Sequence, residues 1–408
     1  MGGYDKGART IAACISLKGV EVAILGSGQM GSALAFDLAK SKEVSRVIVI
    51  DASQNRIEET KRRLKEKKFD FYLLPVDREK EKISELLKEV DVCIGALPHE
   101  IAIHGVECAA RAGTDMIDLI TMWRYDETSW RKLDSMFRKA ERLLISPVGL
   151  APGLSNILAG RGVTVIEDAY KVKILVGAIP SKPLIPLGYR ALWSLEGLWD
   201  MYVRESLIKV NGKAKFVAPL SGLEIVKFGK IKLEAFYTDG LSTLIKTMDQ
   251  VKEMYEKTLR WPGHAEKIRT LIECGLLDDQ PLPNLNISPR KILNLILAPK
   301  LRLKEGETDT TILRVDIEGR HRTCRFELVD EYDKLSGITS LARTTAYPAS
   351  IIAQMVGKKV ITGSGFLPPE EAVSADVYRI FIDELAKRKI KIKQRISQNS
   401  ILRPFPPA

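Results

Sequence analysis

Val20 to Lys40 reads VEVAILGSGQMGSALAFDLAK: a short β-branched apolar run, then Gly26-x-Gly28-x-x-Gly31, then an alanine-rich helix without proline. This is the opening of a dinucleotide-binding fold. Gly26 permits the tight strand-to-helix turn, Gly28 lets the backbone approach a pyrophosphate, and Gly31 allows close helix-sheet packing, with the helix N-terminus facing the anion. Gln29 and Met30, in the first helical turn, belong to the same cofactor-binding set. A bare glycine pattern is weak evidence, so its surroundings decide. A second apolar strand, Arg46-Val-Ile-Val-Ile50, follows at βαβ distance and ends in Asp51, twenty residues beyond Gly31. An acidic side chain there accepts both ribose hydroxyls and repels a 2′-phosphate, so the expected cofactor is NAD rather than NADP. Arg56 leaves room for some NADP binding.

At 408 residues the chain exceeds one ordinary domain and suits two, each able to bury a core. No apolar run reaches the roughly eighteen residues a membrane helix needs, and Ile11 to Leu17 is too short for a signal segment. The expectation is a cytoplasmic enzyme with no membrane partner and a loose leader over residues 1–19. The five cysteines (Cys14, Cys93, Cys108, Cys274, Cys324) are far apart with no C-x-x-C, which reads as reduced, mostly buried thiols and no structural zinc. A formal charge of +11 invites a nucleic-acid reading, but much of the excess lies in Lys387-Arg-Lys-Ile-Lys-Ile-Lys-Gln-Arg395, beside a Pro-rich tail. No aromatic residues interleave there to stack on bases, so the run reads as a solvated face and nucleic acid is not an expected partner.

After Asp51 the pattern alternates helix (55–68), strand (71–76), helix (79–89), strand (90–97), helix (101–112), strand (116–120), helix (129–141) and strand (142–147), which means a parallel sheet with crossover helices. The nucleotide domain therefore spans 20–150. Beyond it the texture becomes α+β. Leu207 to Val217 carries Asn211-Gly212, a tight hairpin turn, and strands are expected at 172–176, 230–236, 311–317 and 324–329. Ser242 is expected to cap a helix running to about Arg260, Gly263 to precede another, and Ser288-Pro289 to open a third. Thr344 to Val356 reads as a helix with Pro348 near its first turn.

Four segments outside the glycine turn carry a specific likeness: Gly149-Leu-Ala-Pro-Gly-Leu-Ser-Asn-Ile-Leu158, Trp193-Ser-Leu-Glu-Gly-Leu-Trp-Asp200, Thr258-Leu-Arg-Trp-Pro-Gly-His-Ala-Glu-Lys267 and Ala342-Arg-Thr-Thr-Ala-Tyr347. With Leu233-Glu-Ala-Phe-Tyr-Thr-Asp-Gly240 and Pro368-Pro-Glu370, the chain from Val20 to Lys387 resembles the saccharopine dehydrogenase-like family, and within it the lysine 6-dehydrogenases most closely. The resemblance implies a Rossmann parallel sheet and a mixed-sheet substrate and dimerisation domain over 151–345. It implies helices in 346–408 returning to the first domain before the basic tail, and a homodimer. It also implies oxidation of the lysine ε-amine to an imine that hydrolyses to 2-aminoadipate 6-semialdehyde and ammonia. One departure bears on the substrate: where the lysine enzymes carry Gly-Gly after the strand read here as Ile117-Asp118-Leu119, this chain has Ile120-Thr121-Met122-Trp123.

Hydride can leave a C–N carbon only when nitrogen supplies its lone pair, so an amine of lysine-like pKa must first lose a proton to a base. His264, in a shared motif, is a candidate for that base or an orienting group, or equally a cap. Glu266 in the same turn suits the helix dipole whatever its function. Glu196, between Leu195 and Gly197, is a candidate base whose apolar flanks would raise its pKa. Asp118 ends a parallel strand where ligand crevices open. Arg343 is the candidate substrate-carboxylate clamp, with Thr344 an added donor, or else an ion pair closing a domain interface. Tyr237 is a candidate donor to substrate, though an aromatic ending a strand is more often core. His99-Glu100-x-x-x-His104 places its histidines five apart, out of helical register for zinc, and is no metal site. Gly363-Ser-Gly365 reads as a turn.

Three functions compete: an NAD-dependent amine dehydrogenase acting on an amino acid; a saccharopine-type reductase, which needs extra cations such as Arg190, Arg260 or Lys267; and a non-catalytic NAD-sensing protein.

Overall fold

The computed structural model describes residues 19–64, 66–120 and 127–398. Residues 1–18 of the leader expected over 1–19, the Thr121-Met122-Trp123 departure and the Pro-rich tail lie outside them. The described residues form two compact units, 19–154 with 345–388, and 155–344 with 389–398.

The first unit begins with β1 (Val20–Leu25), α1 (Gln29–Lys40), β2 (Val44–Asp51), α2 (Gln54–Arg63), β3 (Phe69–Leu73), α3 (Lys80–Leu87), β4 (Val92–Gly95), α4 (His99–Ala112), β5 (Asp115–Asp118), α5 (Glu127–Lys139) and β6 (Leu143–Ile145). Its central strands are continuous apolar runs because both faces are covered. Val22 to Leu25 and Val47 to Ile50 are buried.

The second unit takes up most of the chain that follows: α6 (Leu154–Val165), β7 (Lys171–Pro180), α7 (Leu195–Val203), β8 (Ser206–Val210), β9 (Lys213–Val217), β10 (Glu224–Phe228), β11 (Ile231–Thr238), α8 (Leu244–Thr247), β12 (Glu253–Arg260), α9 (His264–Glu273), α10 (Pro289–Leu301), β13 (Asp309–Glu318) and β14 (Arg322–Glu331). Asn211 and Gly212 both take positive φ, 50° and 77°, so the β8-β9 hairpin has the expected primed turn. Ser288 accepts from the Lys291 amide with Pro289 following it, as its cap sequence implies.

The chain then runs through α11 (Ser340–Gly357), β15 (Gly365–Leu367), α12 (Pro369–Ala372), α13 (Ala375–Lys387) and β16 (Ile392–Gln398). The first unit's sheet has the order β15-β6-β5-β4-β1-β2-β3, with every pair parallel. The second sheet has the path β10-β11-β12-β7-β13-β14-β16, with β8 branching from β12; the β12-β7 pair is parallel and the other pairs are antiparallel. A Rossmann parallel sheet plus a mixed-sheet α+β unit is the architecture expected.

Three expectations need correction. The helix expected from Ser242 to Arg260 is a short α8 followed by β12. Ser242 is left-handed at φ 49° and Thr243 makes no side-chain cap, while β11 and β7 offer backbone partners on both sides of Glu253–Arg260. Strand pairing therefore overrides the helix preference of Glu, Lys, Met and Leu. Pro348 lies in the interior of α11 because that helix starts earlier, at Ser340. A remote carboxylate supplies the cap, Asp309 accepting from the Ser340 and Leu341 amides at 2.8 and 3.0 Å. The basic run is no uniform solvated face. Arg388 is largely buried against Asp37 and Glu384, and residues from Ile392 onward make an edge strand on β14. Exposed Lys393 and Arg395 along it suit an edge protected from further pairing.

Candidate functional site

The glycine turn is built as its spacing requires. Gly26 takes φ 94°, and a side-chain carbon there would lie 2.6 Å from the Ala96 carbonyl oxygen. A Cβ on Gly31 would lie 1.8 Å from the Gly26 carbonyl oxygen, so only glycine lets α1 approach the loop. Gly28 differs: a Cβ there meets nothing within 4 Å. Its bareness serves the open space in front of the loop, not internal packing. Gly28 makes no side-chain cap for α1, so the first-turn amides, those of Gln29 and Met30 among them, are directed at that space with the positive end of the helix dipole. The pyrophosphate of a dinucleotide fits this cradle.

Asp51 closes one side of it. Its Oδ2 accepts from the Ser27 amide at 2.6 Å and the Ser27 hydroxyl at 3.0 Å, and its Oδ1 accepts from the Ser53 amide at 2.7 Å. With Oδ2 already accepting twice, Oδ1 keeps lone-pair capacity for a ribose hydroxyl. Arg56 stands exposed in the first turn of α2. At the end of β5, Asp118 is buried, accepting from the Ile120 amide at 3.0 Å and the Ser146 hydroxyl at 3.4 Å, and its Oδ1 lies over Gly95 where a Cβ would intrude to 2.2 Å. It sits at the carboxyl edge of the parallel strands, where such sheets bind ligands.

In the second unit, strand register sets a row of buried side chains, five of them polar, on one sheet face. Thr238 pairs with Glu256, Phe236 with Thr258 and Glu234 with Arg260, so all six share that face. Glu234 caps α9, accepting from the Gly263 amide at 2.9 Å and the Ala265 amide at 2.5 Å. Arg260 donates from Nε to the Tyr202 hydroxyl at 3.0 Å and from Nη1 to the Leu259 carbonyl at 2.9 Å, its guanidinium 4.5 Å from the Tyr189 ring centre. At the other end Glu256 is 4 % exposed, and its Oε1 accepts from the Thr238 hydroxyl at 3.3 Å. Its Oε2 has no hydrogen-bond partner. Burial, with Asp239 adding like charge, pushes the Glu256 carboxyl up to about 8.

The residues singled out in the sequence fare unevenly. His264 is buried with both ring nitrogens engaged, Nδ1 2.8 Å from the Leu187 carbonyl and Nε2 2.8 Å from the Tyr202 hydroxyl. A carbonyl only accepts, so Nδ1 carries the proton and Nε2 accepts from Tyr202. Burial and the charge of Arg260 hold the imidazole down at about 3, which leaves it neutral and orienting, not basic. Glu196 is exposed in the first turn of α7, where Asn294 donates to it, so its apolar flanks do not desolvate it. Arg343 is buried 3.6 Å from Asp330, an ion pair inside the second unit. Burial pushes that carboxyl up to about 6 even though Arg343 opposes the shift. The Thr344 hydroxyl donates to the Ser340 carbonyl at 2.8 Å, within its own helix. Tyr237 lies on the opposite sheet face from Glu256, against Tyr255 and beneath Lys257. Arg190 makes a bidentate pair with Glu307, both bonds 2.7 Å. Glu256 escaped notice; strand alternation from Arg260 through Thr258 would have found it, once residues 253–260 are read as strand.

Comparison with known proteins follows the same division. Residues 22–143 match the saccharopine dehydrogenase NADP binding domain and residues 149–390 the saccharopine dehydrogenase C-terminal domain. The saccharopine dehydrogenase [NADP(+), L-glutamate-forming] of Saccharomyces cerevisiae is 22% identical over 364 residues, covering 70% of this chain and 80% of the relative. The apo structure titled saccharopine dehydrogenase (L-Glu forming) from Saccharomyces cerevisiae superposes with a TM-score of 0.76 at 20% identity, covering 93% of this chain and 100% of that one. Homospermidine synthase from Legionella pneumophila, solved in complex with NAD, gives a TM-score of 0.63 at 14% identity, covering 94% and 93%. At these identities the solved structures establish the fold.

Proposed function

This chain belongs to the saccharopine dehydrogenase family of oxidoreductases with a nicotinamide dinucleotide-binding domain, and from that premise we propose an NAD-dependent enzyme acting on the CH–NH2 group of an amino acid. Lysine is the first substrate, its ε-amine leaving as ammonia and its carbon skeleton as 2-aminoadipate 6-semialdehyde. The enzyme works as a cytoplasmic homodimer. The observation that carries the reading is the Gly26-Gly28-Gly31 cradle with Asp51 at its rim, a carboxylate that suits ribose hydroxyls and opposes a 2′-phosphate. The family description and the yeast relative's name both specify NADP, and the Legionella structure's title specifies NAD. Asp51 is the feature that supports NAD in this chain.

A bound nicotinamide supplies the hydride acceptor. The protein's own part is to hold the pyrophosphate on the amides at the start of α1, orient the ribose with Asp51, and deprotonate the amine so that its lone pair can assist hydride departure. A second reading, a saccharopine dehydrogenase, is favoured by the relative's name and by Arg260, a buried guanidinium with no carboxylate at ion-pair distance among the described residues, suited to an additional substrate carboxylate.

The test is NADH absorbance at alkaline pH with NAD and a panel of lysine, ornithine, 2-aminoadipate and saccharopine. Turnover of lysine with ammonia release upholds the first reading. Turnover of saccharopine alone promotes the second, and NAD binding with no turnover refutes both and leaves a sensor.

A further inference from the structure

We propose that Ser27, inside the glycine turn, is the positioning residue that makes cofactor selectivity strict: its hydroxyl pins the Asp51 carboxylate, which then reads one ribose hydroxyl and cannot withdraw for a 2′-phosphate. This rests on the NAD reading, and every residue it uses lies in the first unit. Ser27 stands between Gly26 and Gly28, where a hydroxyl could face an incoming pyrophosphate. Instead it is 3 % exposed and turned inward, donating to Asp51 Oδ2 at 3.0 Å, while its amide donates to the same oxygen at 2.6 Å. The buried Thr60 hydroxyl of α2 donates to the Ser27 carbonyl at 3.4 Å, tying the loop residue to that helix as well.

Three donors therefore converge on one carboxylate: the Ser27 amide and hydroxyl on Oδ2 and the Ser53 amide, at 2.7 Å, on Oδ1. An ionised carboxylate offers about four acceptor positions, so one is left, on Oδ1. The expectation that Asp51 takes both ribose hydroxyls narrows to one.

The consequence is a carboxylate that cannot yield. A 2′-phosphate beside Asp51 meets like charge at close range, and the ordinary escape is rotation of the short acidic side chain away from the ribose. Rotation here breaks all three bonds, two of them to a loop whose path is fixed by the close contacts of Gly26 and Gly31. Bonds to a charged acceptor are the strong ones. Of the three donors, two are main-chain amides that substitution leaves in place. The Ser27 hydroxyl is the one a side-chain change removes.

The experiment titrates NAD and NADP by calorimetry into the full chain, its Ser27→Ala and Ser27→Cys variants, Asp51→Ala, and Ser27→Ala combined with Asp51→Ala. Wild type is expected to prefer NAD. Ser27→Ala lowers the ratio of the NADP Kd to the NAD Kd about ten-fold, the smaller end of what a charge-assisted bond contributes, through tighter NADP with NAD nearly unchanged. Cysteine, a weaker donor, falls between serine and alanine. In the Asp51→Ala background the same change leaves the ratio where it stands, because Ser27 acts only through that carboxylate. An unchanged ratio in Ser27→Ala and Ser27→Cys, a fall produced by weaker NAD binding alone, or a further fall in the Asp51→Ala background overturns the proposal while the NAD reading stands. A wild type that binds NADP as tightly as NAD brings down the NAD reading and the proposal with it.

Discussion

Replacing Glu256 by Gln should stabilise the second unit, and by an amount that depends on pH in a defined way. An ordinary glutamate ionises near 4.5, whereas in the fold burial and Asp239 hold this one protonated to about 8. Between those values the unfolded chain has released a proton that the folded chain keeps. Stability attached to the protonated group is therefore complete below about pH 4.5 and is lost as pH rises toward 8, after which the loss is constant. At about 1.4 kcal/mol per pH unit, the window of roughly 3.5 units sets a ceiling of about 5 kcal/mol. Glutamine has the same shape and no charge, so its advantage should be small at pH 5 and largest at pH 9. For a unit of this size a kcal/mol is worth about 2–4 °C, so even a third of the ceiling is measurable. Urea and thermal melts at pH 5, 7 and 9 give the answer, with NAD omitted so that cofactor linkage does not intrude. A difference between variant and wild type that is the same at all three values would refute the account of Glu256 as a carboxyl kept neutral by its surroundings.

Three further outcomes follow from the geometry. Asp51→Ala should weaken NAD binding about 10- to 100-fold, the worth of charge-assisted hydrogen bonds of roughly 1.5–3 kcal/mol, and narrow the preference over NADP; titration with both cofactors checks it, and an unchanged ratio sinks the assignment of Asp51. Arg343→Ala breaks the buried pair with Asp330, so it should lower stability by about 3–5 kcal/mol and affect KM for amino acid and NAD alike, whereas a selective rise in the amino-acid KM would restore Arg343 as a substrate clamp. His264→Gln should lower Tm by breaking the Leu187 and Tyr202 bonds but leave the pH profile of kcat/KM in place, because an imidazole held at about 3 is neutral throughout the working range; a vanished limb would reinstate it as the base.

The nucleotide-binding unit was legible because its signals are local. Gly26, Gly28, Gly31 and Asp51 lie within one βαβ stretch, and the spacing itself carries the geometry. The second unit resisted where meaning depends on partners distant in the chain. Residues 253–260 are strand because β7 and β11 flank them, and α11 begins at Ser340 because Asp309 reaches its amides from β13. His264 looked like a base by type. Its neutrality comes from Leu187, Tyr202 and Arg260, a set assembled only by folding. Tyr237 and Glu256 show how sensitive strand readings are, since one step along β11 moves a side chain from Tyr237's face to that of Thr238 and Glu256.

The late return of the chain bears on how the molecule is made. In the first unit, Arg388 donates to Asp37 at 2.7 Å and Ser350 donates to the same carboxylate at 2.7 Å, joining the first helix to elements more than three hundred residues later. In the second, β16 pairs with β14 only after those helices have passed. A nascent chain therefore carries β6 without β15 for roughly two hundred residues of synthesis and β14 without β16 for roughly sixty, two strand edges that stay open in turn until their partners emerge. Truncations before residue 345 should yield protein that aggregates, while cuts after 388 should spare the first unit and unprotect only one edge of the second.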